Sequence, residues 1–227
     1  MIVYNPLDGD AYTSSIPSNP RHCFLMTRIG QPVPASVNEI RRAVTSVCRE
    51  SNYTVIDASS RVTGRDFLLK IWRLIASTPI SIGVCHEDIP PSTQSNIYYE
   101  VGVAQALGKE TLIIKSPKAV IPSDFVRTEY VEFNANFRVE FARYLDSLAE
   151  QAEHYELVSD QLERNPILAI DYLKRAFLIS GDERLRAKAR DMADSSAKCN
   201  SSIVERARCR SLYCYTTKWS RTCLTNT

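Results

Sequence analysis

The sequence lacks most of the features that would place a chain of 227 residues in a class at once. No apolar run approaches the roughly 18 residues of a membrane-spanning helix. The first residues, MIVYNPLDGDAYTSS, have neither the basic start nor the apolar stretch of a secretory signal. The net charge of +2 is too small to indicate a nucleic-acid-binding surface. These absences favour a soluble, cytoplasmic protein whose partners are neither membranes nor nucleic acids.

Cysteine and glycine motifs are also missing. The chain has seven cysteines but no CxxC pair, and Cys23, Cys48 and Cys85 fall inside apolar stretches, where a thiol behaves as a small hydrophobe. The other four crowd the last stretch of the sequence: Cys199, Cys209, Cys214 and Cys223. Their spacing matches no common zinc-ligand pattern, so we predict no metal site, and the role of these four cysteines stays open. The absence of GxGxxG and GxxxxGK[ST] disfavours a dinucleotide-binding Rossmann site and a Walker-type NTPase.

Hydrophobic periodicity alternates between strand-like and helical segments. The short apolar runs CFLM, TVID, ISIGVC and TLIIK are typical of buried strands, and segments with helical spacing separate them. Such alternation requires parallel strands joined by right-handed helical crossovers. We therefore predict a doubly wound, flavodoxin-like α/β fold with a parallel sheet of about five strands, in which YVEF forms the edge strand.

The same pattern divides the chain into three parts. Residues 1–20 are rich in Pro, Ser, Asn and Asp and predict an irregular arm. Residues 21–158 form the α/β domain. Residues 159–227 form a small helical appendage and the cysteine-bearing tail, because NPILAIDYLKRAFLIS starts with an Asn cap and a proline at the first helical position, and a second helix follows a glycine turn. We expect these helices to be the place where a second copy or another protein would bind.

The candidate site lies where ligands of open parallel sheets bind, beyond the carboxyl ends of the strands. The loops at that edge are TRIGQPVP, DASSRVTGRD and HEDIPPSTQSN. Glu100 follows the third loop, and we predict it in the first turn of a helix from about Asn96 to Leu107. The helix dipole alone could explain an acid there, since it contributes roughly 0.3–1 kcal/mol. However, a capping acid does not require the small residues Gly102 and Ala104 beside it, which leave room for a ligand.

The string SNIYYEVGVAQALGKETLIIK resembles the pattern of asparagine, aromatic, Glu, aliphatic, Gly, small and Ala found in TIR-like nucleotide-binding domains and nucleoside 2-deoxyribosyltransferase-like proteins. Both families place an acid where Glu100 stands, and a looser similarity covers residues 21–133. The resemblance implies cleavage of an N-glycosidic bond, with the glutamate as nucleophile or as partner of the ribose hydroxyls. The substrate would be a nucleoside in one family and NAD in the other, and no cofactor is expected. For TIR-like domains it also implies association of several copies and a role in bacterial defence.

Cleavage would need a group that protonates or stabilises the leaving base. The candidates are His86, Glu87 and Asp88 in the third loop, and Asp57 after the second strand. We predict Asp88 as the catalytic partner of Glu100. Glu100 itself is expected to act as an ionised carboxylate rather than as the proton donor.

The chain departs from the deoxyribosyltransferases at two places. Those enzymes carry a second acid about six residues before the glutamate, where this chain has Gln94, and an aromatic residue after the first strand, where it has Arg28 and Gln31. A guanidinium binds phosphate oxygens in a two-pronged way, so Arg28 favours a nucleotide over a nucleoside. The residues predicted to bind substrate are Arg28, Gly30, Asp57, Arg65, Asn96 and Tyr99.

Two functions therefore stay open at the level of the sequence. The first is an enzyme that cleaves or transfers at an N-glycosidic bond of NAD or a nucleoside phosphate, with Glu100 essential. The second is a non-catalytic nucleotide-sensing module that signals to a partner through the C-terminal helices, which the presence of Gln94 in place of an acid favours. A lesser third possibility is an interaction protein without either role. The sequence does not indicate which base or sugar is recognised.

Overall fold

A parallel five-stranded sheet forms the centre of the computed structural model, which describes residues 9, 16–58, 67–125, 128–162 and 164–198. All strand pairings are parallel, and the strand order is β2-β1-β3-β4-β5, the flavodoxin-like order. The predicted fold class is confirmed, including the edge strand. The strands are β1 (His22–Met26), β2 (Thr54–Asp57), β3 (Ile80–Cys85), β4 (Glu110–Lys115) and β5 (Tyr130–Glu132).

Helices connect the strands and cover the sheet. They are α1 (Ala35–Glu50), α2 (Phe67–Ser77), α3 (Pro91–Ala106), α4 (Phe137–Gln161), α5 (Pro166–Ser180) and α6 (Glu183–Lys198). The apolar stripe of α1 is buried as its spacing predicts, and consists of Val37, Ile40, Val44, Val47 and Cys48. Within the residues that the structure describes, no helix is both long and apolar enough to cross a membrane.

Strand β3 is central, and every one of its residues is buried. This is the pattern of a parallel strand covered by helices on both faces. Gly83 lies in this strand directly beneath α3. A Cβ atom at Gly83 would stand 2.9 Å from Cγ2 of Val101 and 3.2 Å from Cγ2 of Ile97. The missing side chain therefore lets α3 lie close against the sheet.

Helix α5 packs against the amino ends of the strands. The backbone N–H of Arg21, just before β1, donates to the carbonyl of Leu178 over 2.8 Å, and the hydroxyl of Tyr53, just before β2, donates to the carbonyl of Ile179 over 3.4 Å. The buried residues of α5 belong to the same hydrophobic cluster as the sheet. Helix α5 therefore lies at the edge opposite to the one where ligands of such sheets bind.

The sequence located the start of α5 correctly, since Asn165 caps it with its side chain and Pro166 is its first residue. The boundary predicted near residue 158 falls inside the continuous helix α4. Most of the predicted N-terminal arm and the four C-terminal cysteines lie outside the described residues.

The close approach at Gly83 can be tested with two glycine substitutions. Gly83→Ala should lower the free energy of unfolding by about 1–3 kcal/mol, because the buried Val101 and Ile97 side chains must move to admit the methyl group. Gly102→Ala is the matched control on α3, since no atom lies within 4 Å of its Cβ position. It should be neutral or stabilise by up to ~1 kcal/mol, as alanine is the better helix former. Urea unfolding measures both, and equal effects would contradict the tight approach.

Candidate active site

Helix α3 begins at Pro91 rather than near Asn96, so the predicted position of Glu100 in the first turn is wrong. The predicted loop HEDIPPSTQSN contains Pro90 and Pro91, which instead start the helix, because proline suits the first helical position, where no N–H partner is needed. Glu100 therefore lies in the third turn. The dipole effect fades within the first turn, so it does not explain an acid at this position.

Helical spacing directs Glu100 toward the point where the strand order reverses. Ile97 and Val101 face Gly83 of the sheet, and the ring of Tyr98 stacks on Phe125 at 5.2 Å, on the β4 side of α3. Each residue advances about 100° around a helix, so Glu100 lies on the flank opposite Tyr98. That flank faces β1 and α2.

The strand register sets the height of Glu100 along the sheet. Strand β1 is paired with β3 only as far as Met26, which lies beside Gly83, whereas β3 continues to Cys85. The carboxyl end of β1 is thus level with the turn of α3 that contains Ile97 and Val101. Glu100 belongs to this turn, so it borders the recess beyond β1, where ligands of doubly wound sheets bind.

The carboxyl group of Glu100 is partly buried and has no charged partner to compensate for the lost water. Burial raises its pKa from 4.5 to about 7. Within the described part of the chain, no hydrogen bond or ion pair reaches this carboxyl group. Burial therefore acts against the ionised form of Glu100, which is the form that the sequence predicts. At neutral pH the group is able both to accept and to give up a proton.

The loop after β3 is held by hydrogen bonds. Nδ1 of His86 accepts from the backbone N–H of Asp88 over 3.0 Å, so in the neutral ring the hydrogen is on Nε2. The carboxylate of Asp88 accepts from the hydroxyl of Ser36, in the first turn of α1, over 2.6 Å. The hydroxyl of Ser116 donates to the Glu87 carboxylate and holds the pKa of that group below its usual value. Glu87 is therefore a poor proton donor.

Gln94 has a structural role that the sequence did not reveal. Its Nε2 donates to the carbonyls of His86 over 2.8 Å and of Ile89 over 3.0 Å. An ionised acid at this position could not donate to either carbonyl. Gln94, where the sequence departs from the deoxyribosyltransferase pattern, therefore holds the loop beside the site.

The other predicted residues are placed as follows. Asp57, at the end of β2, forms an ion pair with Arg41 of α1 at 2.6 Å. Nε of Arg28 donates to the carbonyl of Gly30 over 3.3 Å, at the surface of the first loop.

Asn96 and Tyr99 are both exposed, and the side chain of Tyr99 points away from the sheet by helical spacing. Arg65 lies outside the described residues. Nothing in the described part of the chain groups three or more His, Cys, Asp or Glu side chains as metal ligands.

Comparison with known proteins adds to the description of the fold. No family model and no characterised protein matches the sequence. A 2-deoxyribosyltransferase from Bacillus psychrosaccharolyticus is similar in structure, with 13% identity, a TM-score of 0.41, and coverage of 53% of this chain and 90% of that one. The CMP N-glycosidase BcmB of Clostridium botulinum has 19% identity and a TM-score of 0.36, and the match covers 55% and 98% of the two chains. At these sequence identities and TM-scores the similarity concerns the fold alone.

The buried carboxyl of Glu100 predicts a stability effect that depends on pH. Its pKa is higher in the folded protein than in the unfolded chain, so ionisation opposes folding. The cost is absent below about pH 4.5, grows as the pH rises through 7, and reaches up to about 3 kcal/mol above it. Glu100→Gln should therefore raise the free energy of unfolding at pH 8 and leave it nearly unchanged at pH 4.5.

Urea unfolding at the two pH values measures this difference. Glu153→Gln, at an exposed position of α4, is the control and should have little effect at either pH. An equal gain from Glu100→Gln at both pH values would show that the burial of its charge is not the cause.

The role of Gln94 predicts a contrast between two similar substitutions. Gln94→Glu should lower the free energy of unfolding by about 1–3 kcal/mol at pH 7, because a carboxylate would face two backbone carbonyls. Gln105→Glu should be milder, since Nε2 of Gln105 bonds the hydroxyl of Thr128, which can turn to donate instead. Hydrogen exchange of the amides after β3 should rise only for Gln94→Glu. Equal exchange in the two variants would contradict the assigned role.

Proposed function

We propose that this protein cleaves, or transfers at, the N-glycosidic bond of a nucleotide, and that Glu100 acts on the sugar. The observation that carries the proposal is a partly buried carboxyl group with a pKa of about 7 beside the recess at the end of β1. Strongly shifted carboxyl groups in a ligand-binding crevice are typical of catalytic sites. The family resemblance of the string SNIYYEVGVA also points to Glu100, and it does not depend on how deeply the carboxyl group is buried.

The proposed chemistry uses the charge of Glu100. As the bond between C1′ and the base nitrogen breaks, its electron pair leaves with the base and positive charge develops on the sugar. A nearby carboxylate stabilises that charge or forms a bond to C1′, and water or an acceptor base then takes the place of the leaving base. The developing positive charge favours ionised Glu100, so the energy lost by burying the carboxylate is recovered in the transition state.

Asp88 is the proposed catalytic partner of Glu100, and it would bind the leaving base or a water molecule that protonates that base. His86 is the other candidate in this loop, since its Nδ1 accepts the backbone N–H of Asp88 and lies 3.5 Å from a carboxylate oxygen of Asp88 and 3.6 Å from one of Glu87. In the neutral ring, Nε2 of His86 is able to donate a hydrogen bond to the leaving base. The hydroxyl of Ser36 orients the Asp88 carboxyl group from the first turn of α1.

The phosphate of the substrate would lie at the start of α1. This helix begins after Pro34 without a capping side chain and without an acid in its first turn, so its first N–H groups are open to an anion. Arg28 and Gly30 lie in the loop just before it, and Arg28 would supply the guanidinium. NAD and nucleoside monophosphates both satisfy this chemistry. Association of copies and a role in defence rest on the TIR-like resemblance alone.

A non-catalytic sensing module is the second candidate. The observation that favours it is Gln94, which holds the loop in the place where deoxyribosyltransferases carry a second acid. In that case the same recess would bind a nucleotide without turnover. A ligand bound only by the folded protein would still raise its melting temperature.

Chromatography of the released base distinguishes the two candidates. The full chain is incubated with NAD, nucleosides and nucleoside monophosphates, and Glu100→Gln should reduce base release by at least ~100-fold while the circular dichroism spectrum is unchanged. Glu153→Gln is the matched control and should retain full activity. Release that persists in Glu100→Gln would refute the mechanism, whereas a raised melting temperature without release would support the sensing module.

A further inference from the structure

Among the described residues, two buried polar atoms lack hydrogen-bond partners on the side of the sheet that α2 and α3 cover. They are Nε1 of Trp72, on α2, and Oγ of Ser81, on β3. Ser81 lies two residues before Gly83, so both of these residues point to the α3 face of the sheet. An indole N–H is only a donor, and leaving it buried without an acceptor costs free energy. Trp72 therefore marks a place where a ligand or water would gain a hydrogen bond.

Trp72 lies on the flank of α2 that faces α3. Nζ of Lys109, just after α3, donates to the carbonyl of Ala76 over 2.8 Å, which joins the end of α2 to the end of α3. Ile71 and Ile75 of α2 are buried. Trp72 is one residue beyond Ile71 and four before Ala76, so helical spacing places it between the buried side and α3.

Trp72 and Glu100 also lie at similar heights. Both helices lead back from the carboxyl edge of the sheet to its amino edge, where β3 and β4 begin. Trp72 lies five residues before the end of α2, and Glu100 lies six before the end of α3. At 1.5 Å per residue these distances are roughly 7.5 Å and roughly 9 Å. The indole N–H and the carboxyl group therefore lie on the facing sides of α2 and α3, and we call the boundary between these two sides the groove.

We propose that Trp72 is a specificity-determining residue that shares one substrate hydroxyl with Glu100. The indole N–H donates to the hydroxyl oxygen, and the hydroxyl hydrogen is donated to the Glu100 carboxylate. A hydroxyl group suits this pair because it accepts and donates at once. The identity of the hydroxyl as a ribose hydroxyl rests on the proposed function, but the pairing of Trp72 with Glu100 does not. The predicted substrate is a ribonucleotide in preference to its 2′-deoxy analogue.

In any pH experiment, the effects of other charged groups near the groove must be distinguished from the effect of Glu100. Burial lowers the pKa of Lys109, at the lower end of the groove, to about 7. Lys70 and Arg73 lie on the sides of α2 that helical spacing turns away from α3. His86 and Asp88 lie in the loop above the start of α3. Glu100 and Lys109 both have a pKa of about 7, so the group that causes a pH transition near 7 is identified by substituting each of them.

The pairing is tested by fluorescence without any substrate. The chain has two tryptophans, so Trp219→Phe leaves Trp72 as the only one, and its emission is excited selectively at wavelengths that tyrosine does not absorb. Its emission should change with pH around a midpoint near 7, because ionisation of Glu100 places a negative charge beside the indole. Adding Glu100→Gln should abolish this change, and adding Lys109→Met should preserve it. The absence of a transition, or one that survives Glu100→Gln, would overturn the pairing.

The role in specificity is tested with Trp72→Phe, which keeps an aromatic ring and removes the N–H. The ratio of kcat/KM for a ribonucleoside monophosphate to that for its 2′-deoxy analogue should fall about 5- to 10-fold, the usual loss for one hydrogen bond. The value for the deoxy analogue should stay within about twofold of the unsubstituted protein. Equal losses for both substrates would indicate a structural role and overturn the proposal.

The two proposals fail in different ways. Base release that survives Glu100→Gln refutes the proposed catalytic role, whereas an unchanged ratio in Trp72→Phe refutes only the role of Trp72. If the protein binds nucleotides without cleaving them, the quenching of Trp72 emission measures the Kd of CMP and dCMP in the single-tryptophan protein. CMP should then bind more tightly, and equal Kd values would overturn the hydroxyl subsite.

Discussion

The close contact between α3 and β3 at Gly83 is the constraint on which the candidate site depends. A Cβ atom at this position would stand 2.9 Å from Cγ2 of Val101, so any other residue would require that side chain, or the helix that carries it, to shift. This contact sets the height of Glu100 relative to the end of β1, and it buries the carboxyl group enough to raise its pKa to about 7. A helix lying further out would leave Glu100 in water, with the properties of an ordinary surface acid.

The described part of the chain contains several buried polar atoms without hydrogen-bond partners, on α4 as well as on the side of the sheet that α2 and α3 cover. At the amino edge of the sheet, α5 joins the common core and bonds to the residues before β1 and β2. In the groove between α2 and α3, by contrast, Trp72 and Ser81 have unpartnered polar atoms and Glu100 is buried without a compensating charge. Unsatisfied groups of this kind lower stability, and a ligand or a water molecule that bonds to them recovers part of that cost.

The loop after β3 is held by residues from two helices. Gln94 donates to two carbonyls of the loop, and Ser36 ties Asp88 to the start of α1. The loop is thus held from the α3 side and from the α1 side, across the point where the strand order reverses. Such a frame keeps the approach to Glu100 in one shape, which suits either turnover or the recognition of one class of nucleotide.

The sequence by itself determined the strands and their parallel arrangement, and it singled out Glu100 as a candidate, because periodicity and the local motif are properties of neighbouring residues. It misplaced the start of α3, since a proline pair that interrupts regular structure elsewhere is also able to begin a helix. The raised pKa of Glu100, the role of Gln94 and the orientation of Trp72 were decided only by the tertiary structure. Each depends on how closely distant segments approach, which the spacing of residues along one segment does not specify.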